Sequence, residues 1–87
     1  MAARHEFIAR VTRLFVTEGR TNIRLDLPTA QQPENNYFVL YQKHENYNAL
    51  YSLALTAAVN GYDLRIRTTA DINPGEHAEV EYMVVDW

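Results

Sequence analysis

The stretch that decides the fold is Asn46-Tyr-Asn-Ala-Leu-Tyr-Ser-Leu-Ala-Leu-Thr-Ala-Ala-Val-Asn-Gly61. Alanine and leucine dominate it, and both are strong helix formers. No residue from Asn46 to Tyr62 carries a charge. Asn46 or Asn48 can cap the start by accepting a free first-turn amide. Gly61 can take the left-handed conformation that closes the end. At about 100° per residue, Tyr47, Leu50, Tyr51, Leu53, Ala54, Leu55, Ala57 and Ala58 fall on one arc of roughly 200°. That is about twice the apolar stripe of an ordinary surface helix. Asn48, Ser52, Thr56 and Asn60 make a narrow neutral stripe opposite. The run is shorter than the about 20 apolar residues a membrane span needs. One face is therefore expected to cover the domain and a second to meet something else.

Upstream, the pattern changes from helical to alternating. Residues 6–18 read as a long strand whose apolar phase switches: Phe7, Ala9 and Val11 share one parity, Leu14 and Val16 the other. A strand that changes its buried face needs a bulge, expected near Thr12–Arg13. After the turn Glu18-Gly19-Arg20, residues 21–27 alternate, with Ile23, Leu25 and Leu27 inward and Arg24 and Asp26 outward. Residues 29–36 form a polar loop, and Tyr37–Tyr41 a short aromatic strand leading through Gln42–Glu45 to the helix.

Downstream, residues 62–69 read as a strand with Leu64 and Ile66 inward. Asn73-Pro74-Gly75 marks a turn, and residues 78–87 form the last strand. A hairpin pivoting on Asn73 sets Arg67 opposite Glu79, Arg65 opposite Glu81, Leu64 opposite Tyr82 and Ile66 opposite Val80. Such pairs contribute about 0.2–1 kcal/mol each.

The 87 residues thus form one domain, with residues 1–5 a flexible lead-in. It is mainly β with one helix, in the order β-β-β-α-β-β. With a bent first strand, that order resembles the five-stranded oligonucleotide/oligosaccharide-binding (OB) barrel. The run from Tyr51 to Gly61, followed by Leu64-Arg-Ile66, also resembles the helix-to-strand segment of pentameric OB-fold binding subunits of bacterial toxins, of the pertussis and subtilase-cytotoxin type. That resemblance implies helices packed around a central axis and an outer surface that binds glycans. Those subunits are secreted and carry a disulfide, whereas this chain has no cysteine.

The expected function is a non-enzymatic homo-oligomeric subunit, a ring and most simply a pentamer. Leu50, Leu53, Ala57, Met83, Val85 and Trp87 would form the subunit interface, and the outer face would bind a glycan or partner protein. The alternative is a single-stranded nucleic-acid binder using Arg10, Arg24, Arg65, Arg67, Tyr37 and Tyr41, since such sites combine basic grooves with stacking rings. A net charge of −3 provides no global attraction to phosphate. The three histidines stand far apart, without metal-site spacing, and no cofactor or metal is expected. The three glycines stand singly, so no phosphate loop exists. Without a leader or membrane segment the chain reads as cytoplasmic, with secretion after prior leader removal left open.

Overall fold

The computed structural model describes residues 4–28 and 32–86. It contains β1 (Arg4–Thr17), β2 (Arg20–Leu25), a 3-10 turn (Glu34–Asn36), β3 (Tyr37–Tyr41), α1 (Tyr47–Asn60), β4 (Asp63–Ile72) and β5 (Ala78–Val85). The strands form one closed five-stranded sheet in the order β1-β2-β3-β5-β4. Closure depends on β1, which pairs with β4 along Arg4–Arg10 and with β2 along Val11–Thr17. The register shift between Val11 and Arg13 lies where the change of apolar phase requires it. Phe7 is buried, and Ala9, Val11 and Leu14 pack against the core from either side of that bend. Val16 departs from expectation: it is exposed, although its cross-strand partner Thr21 is buried. His5 already belongs to β1, which shortens the expected lead-in; residues 1–3 lie outside the described residues.

The interior is lined by Phe7, Ile23, Leu25, Phe38, Leu64, Ile66 and Val80, among others. The Phe7 and Phe38 rings lie 5.1 Å apart. Helix α1 contacts β1, β3, β4 and β5, so it covers the interior of the closed sheet. A 2.7 Å hydrogen bond between Thr21 Oγ1 and Tyr47 Oη anchors its first turn to β2. Gly61 ends it at φ 69°, the left-handed geometry that favours glycine. The start differs from expectation: the Asn46 side chain caps nothing. Instead, His44 Nδ1 accepts the Asn46 amide at 3.0 Å, while its Nε2 donates to the Glu81 carbonyl at 2.9 Å. The helix entrance is thereby fastened to β5.

The β4–β5 register is corrected. Leu64 faces Val85, Arg65 faces Val84, Ile66 faces Met83 and Arg67 faces Tyr82, none of which matches a hairpin pivoting on Asn73. The two strands part company at their turn ends. There β4 reaches β1 through Arg4↔Ile72, and β5 pairs in parallel with β3 through Phe38↔Ala78 and Val39↔Glu79. Closing the sheet takes those residues away from the hairpin. A second irregularity, between Arg67 and Thr68, leaves Glu81 as the extra residue of β5. Beyond it the inward parity changes, since a bulge shifts which face later residues occupy.

That shift also corrects the interface assignment. Met83 is buried and Val85 packs against the core, on the same side as Val80. Leu50 and Ala57 are likewise buried within the chain's own core, and Leu53 packs against it partly buried. Trp87 lies outside the described residues. The large apolar residues that α1 exposes are Leu55 and Val59, the latter 76% exposed. They share their face with the neutral Asn48, Ser52, Thr56 and Asn60. No helix among the described residues is long and apolar enough to cross a membrane.

Candidate ligand-binding face

The outward side of β1–β2–β3 carries a chemically distinct surface. Cross-strand pairing sets its rows: Arg13 faces Arg24, which faces Tyr37; Phe15 faces Asn22, which faces Val39; Thr17 faces Arg20, which faces Tyr41. Because in-register neighbours share a face, these side chains stand together while Ile23, Leu25, Phe38 and Leu40 point into the core.

The rings and cations of this face are organised. Phe15 and Tyr37 meet edge to face, with centroids 5.5 Å apart and planes at 84°. Arg13 donates from Nη1 to Tyr37 Oη at 3.1 Å and lies 6.0 Å from the Phe15 centroid. The Tyr37 hydrogen bond raises the Arg13 pKa further above the range in which any arginine could lose its charge. Arg24 donates to Thr12 Oγ1 at 3.0 Å. At the other end Tyr41 Oη shares a 3.2 Å hydrogen bond with His77 Nε2, and Lys43 Nζ sits 5.5 Å from the Tyr41 ring centre.

Two loops close over the middle of the face. The Glu34 amide bonds the Glu76 carbonyl at 2.8 Å, and the Gly75 amide bonds the Gln32 carbonyl at 2.9 Å. The loop before β3 and the β4–β5 turn therefore hold each other. Asn35 and Asn36 adopt left-handed φ of 54° and 65°, a conformation that asparagine tolerates better than most side chains. Between the loops and the sheet lies a depression of about 150 Å³, bounded by Phe15, Arg20, Glu34, Asn35, Tyr37 and His77, with Asn22 and Val39 beneath.

The arginines of the chain fall into two sets. Arg65 pairs with Glu6 at 2.9 Å and Arg67 with Glu81 at 3.6 Å, both on the β4 side of the sheet. Arg65–Glu81 and Arg67–Glu79, the pairs expected from the sequence, do not form; Glu79 instead faces Val39 across the parallel β3–β5 pairing. Arg10 donates to the Gly61 carbonyl at 3.3 Å, at the end of α1. Arg13, Arg20 and Arg24, like Arg10, have no carboxylate within 4.0 Å among the described residues, and these three share the outward face of β1–β2–β3.

Of the residues read from sequence as a nucleic-acid site, Arg24, Tyr37 and Tyr41 are brought together and Arg10, Arg65 and Arg67 are not. Arg13 and Phe15, strand-borne like them, stand on the same face. Arg20, Asn22, Lys43 and His77 complete it and were missed; nothing local points to His77, which arrives on a loop. A larger hollow of about 550 Å³ flanks the N-terminus of α1, lined by His44, Glu45, Asn46 and Tyr47 among others. No arginine among the described residues lines it. No group of three metal-ligating side chains occurs among the described residues. No protein-family model, curated protein or solved structure matches the chain.

Proposed function

We propose that the chain is a non-enzymatic binding module of the OB type, and that the outward face of β1–β2–β3 takes single-stranded nucleic acid. The sheet order, the bent first strand and the helix between β3 and β4 support the OB reading. The observation that carries the ligand is the set of arginines without acidic partners standing beside Phe15, Tyr37 and Tyr41. Arg13 and Arg24 are direct cross-strand neighbours. Like charges in that position are destabilising, so the arrangement favours an anion supplied from outside. Stacking rings beside a cationic track are what a sequence-tolerant single-strand site uses. The chain's net charge of −3 confines the attraction to this face.

The test is fluorescence anisotropy with a short labelled oligonucleotide across a salt series. Single strands lose affinity with a slope of about −0.7 per neutralised phosphate, so three engaged arginines predict a slope of roughly −2. Tyr37→Ala and Arg24→Ala weaken binding, and Arg65→Ala leaves it unchanged. Absence of binding at low salt rejects the proposal.

A second reading draws on the uncharged exposed side of α1. Leu55 and Val59 there fit a cyclic homo-oligomer, a pentamer in the resemblance noted above, whose outer face binds a glycan or a partner protein. Light scattering decides this reading: a monomer at micromolar concentration removes it. Native mass in Leu55→Asp removes the helix face as the contact.

A further inference from the structure

We propose that the depression over Asn22 is a pocket for one nucleobase, and that it favours a base carrying an exocyclic amino group over thymine or uracil. This rests on the nucleic-acid reading of the same face and adds a specificity that the unpaired arginines alone do not confer.

The space is about 150 Å³, well below the roughly 300–1,000 Å³ of sites for drug-sized ligands. It suits a single flat ring system. Its floor is unusual. Asn22 is only 7% exposed, yet its carboxamide has no hydrogen-bond partner among the described residues and opens into the depression. Among the described residues the fully buried side-chain polar atom without a partner is Asn36 Oδ1, so the Asn22 amide is not sealed off and is offered to whatever fills the depression that Asn22 lines. A ligand edge seated there completes the amide.

Chemistry narrows that edge. Whichever way the amide is turned, it presents one donor and one acceptor side by side. Adenine and cytosine answer with an amino group beside a ring nitrogen, and guanine, thymine and uracil with a ring N–H beside a carbonyl, so the amide holds a base edge and the choice between bases falls to the group beside it. Glu34, at the rim, is an acceptor only when ionised. It welcomes the second hydrogen of an amino group and repels the carbonyl oxygen that thymine or uracil would present there. The Phe15 and Tyr37 rings, nearly perpendicular, offer one face for the base to stack on and one wall beside it.

The experiment compares a thymidine tract with the same tract carrying one adenine or one cytosine, at fixed salt. The expected result is about tenfold tighter binding of the substituted tracts. In Asn22→Ala that preference disappears while the salt-dependent affinity for plain thymidine remains. Glu34→Gln, which keeps the shape of the rim, reduces the preference and does not abolish it. Equal affinity of the wild-type protein for all tracts overturns the inference, and that comparison needs no variant to fold. A preference that survives in Asn22→Ala also overturns it. Failure to bind any tract at low salt instead removes the underlying nucleic-acid reading. Competition by adenosine monophosphate identifies the source: it must bind more weakly than the strand, since it meets none of the cations beyond the pocket, and equal affinity rejects a strand ligand. Binding of an oligosaccharide at this face without competition by oligonucleotide overturns both.

Discussion

The β1–β2–β3 wall and the β4 wall carry the same kind of residue at the same strand period, yet their arginines lead different lives. Arg65 and Arg67 alternate with Leu64 and Ile66 on one strand, and each finds a glutamate. Arg13 and Arg24 face each other across two strands and find none. The difference arises in β1. Its first half lies beside β4 and delivers Glu6 to Arg65; past the bulge its second half lies beside β2 and delivers Arg13 to Arg24. One bent strand, with Glu81 of β5 supplying the second acid, thus helps neutralise one wall and concentrates positive charge on the other. A repeated charge pattern says little about binding until the neighbouring strand is known.

The comparison breaks most severely if the shared core goes. Phe38→Ala removes a fully buried ring packed on Phe7 and is expected to cost about 3–5 kcal/mol in urea denaturation, unfolding both walls in one transition. Separate transitions would mean that the two walls do not rest on one interior.

Next comes the test of asymmetry. Tyr37→Ala is expected to lose about 1–3 kcal/mol of oligonucleotide affinity, the usual worth of one stacked base. Arg65→Ala loses none. Equal losses from the two would show that the charge pairing of the walls is irrelevant to binding.

Arg24→Glu sharpens the contrast, because stability and binding move in opposite directions. A glutamate opposite Arg13 replaces a like-charge pair by an opposite one, and stability is expected to rise by about 0.2–1 kcal/mol. Oligonucleotide binding falls in the same protein. A variant that is both less stable and fully binding would contradict the role given to this pair.

The smallest effect belongs to the neutralised wall. Glu6→Gln removes a 2.9 Å pair whose side chains are 36% and 41% exposed. Exposed pairs of this kind contribute about 0.2–1 kcal/mol, and the loss should shrink further in high salt. A larger, salt-insensitive loss would mean that Glu6 supports more than Arg65.

Several of these features were legible in the chain. Tyr37–Tyr41 reads directly as a strand because polar residues bound an aromatic run, and Gly61 ends the helix because it tolerates positive φ. The β1 bend follows from the change of parity between Val11 and Leu14. Other features were not. The register of β4 against β5 fails as a symmetrical hairpin, since Ile72 is drawn to β1 and Ala78 to β3. Met83 and Val85 read as an outer edge only while β5 is taken to keep a strict period of two through Glu81. Half of the candidate face was visible as strand-borne rings and arginines; Asn22, an unremarkable polar residue in the sequence, acquires its meaning from what surrounds it.

Local order is written in short-range terms: helix propensity, alternation, a glycine at a stop and a phase change at a bend all act within a few residues of one another. The sequence by itself therefore determined the elements and which side of most strands faces inward. Sheet closure acts between residues far apart in the chain. Only the tertiary structure decided which arginines meet an acid, which apolar residues the core consumes and which amide is left at the bottom of a hollow. Those outcomes depend on the identity of each strand's neighbour, and that is a property of how the sheet returns to its own first strand.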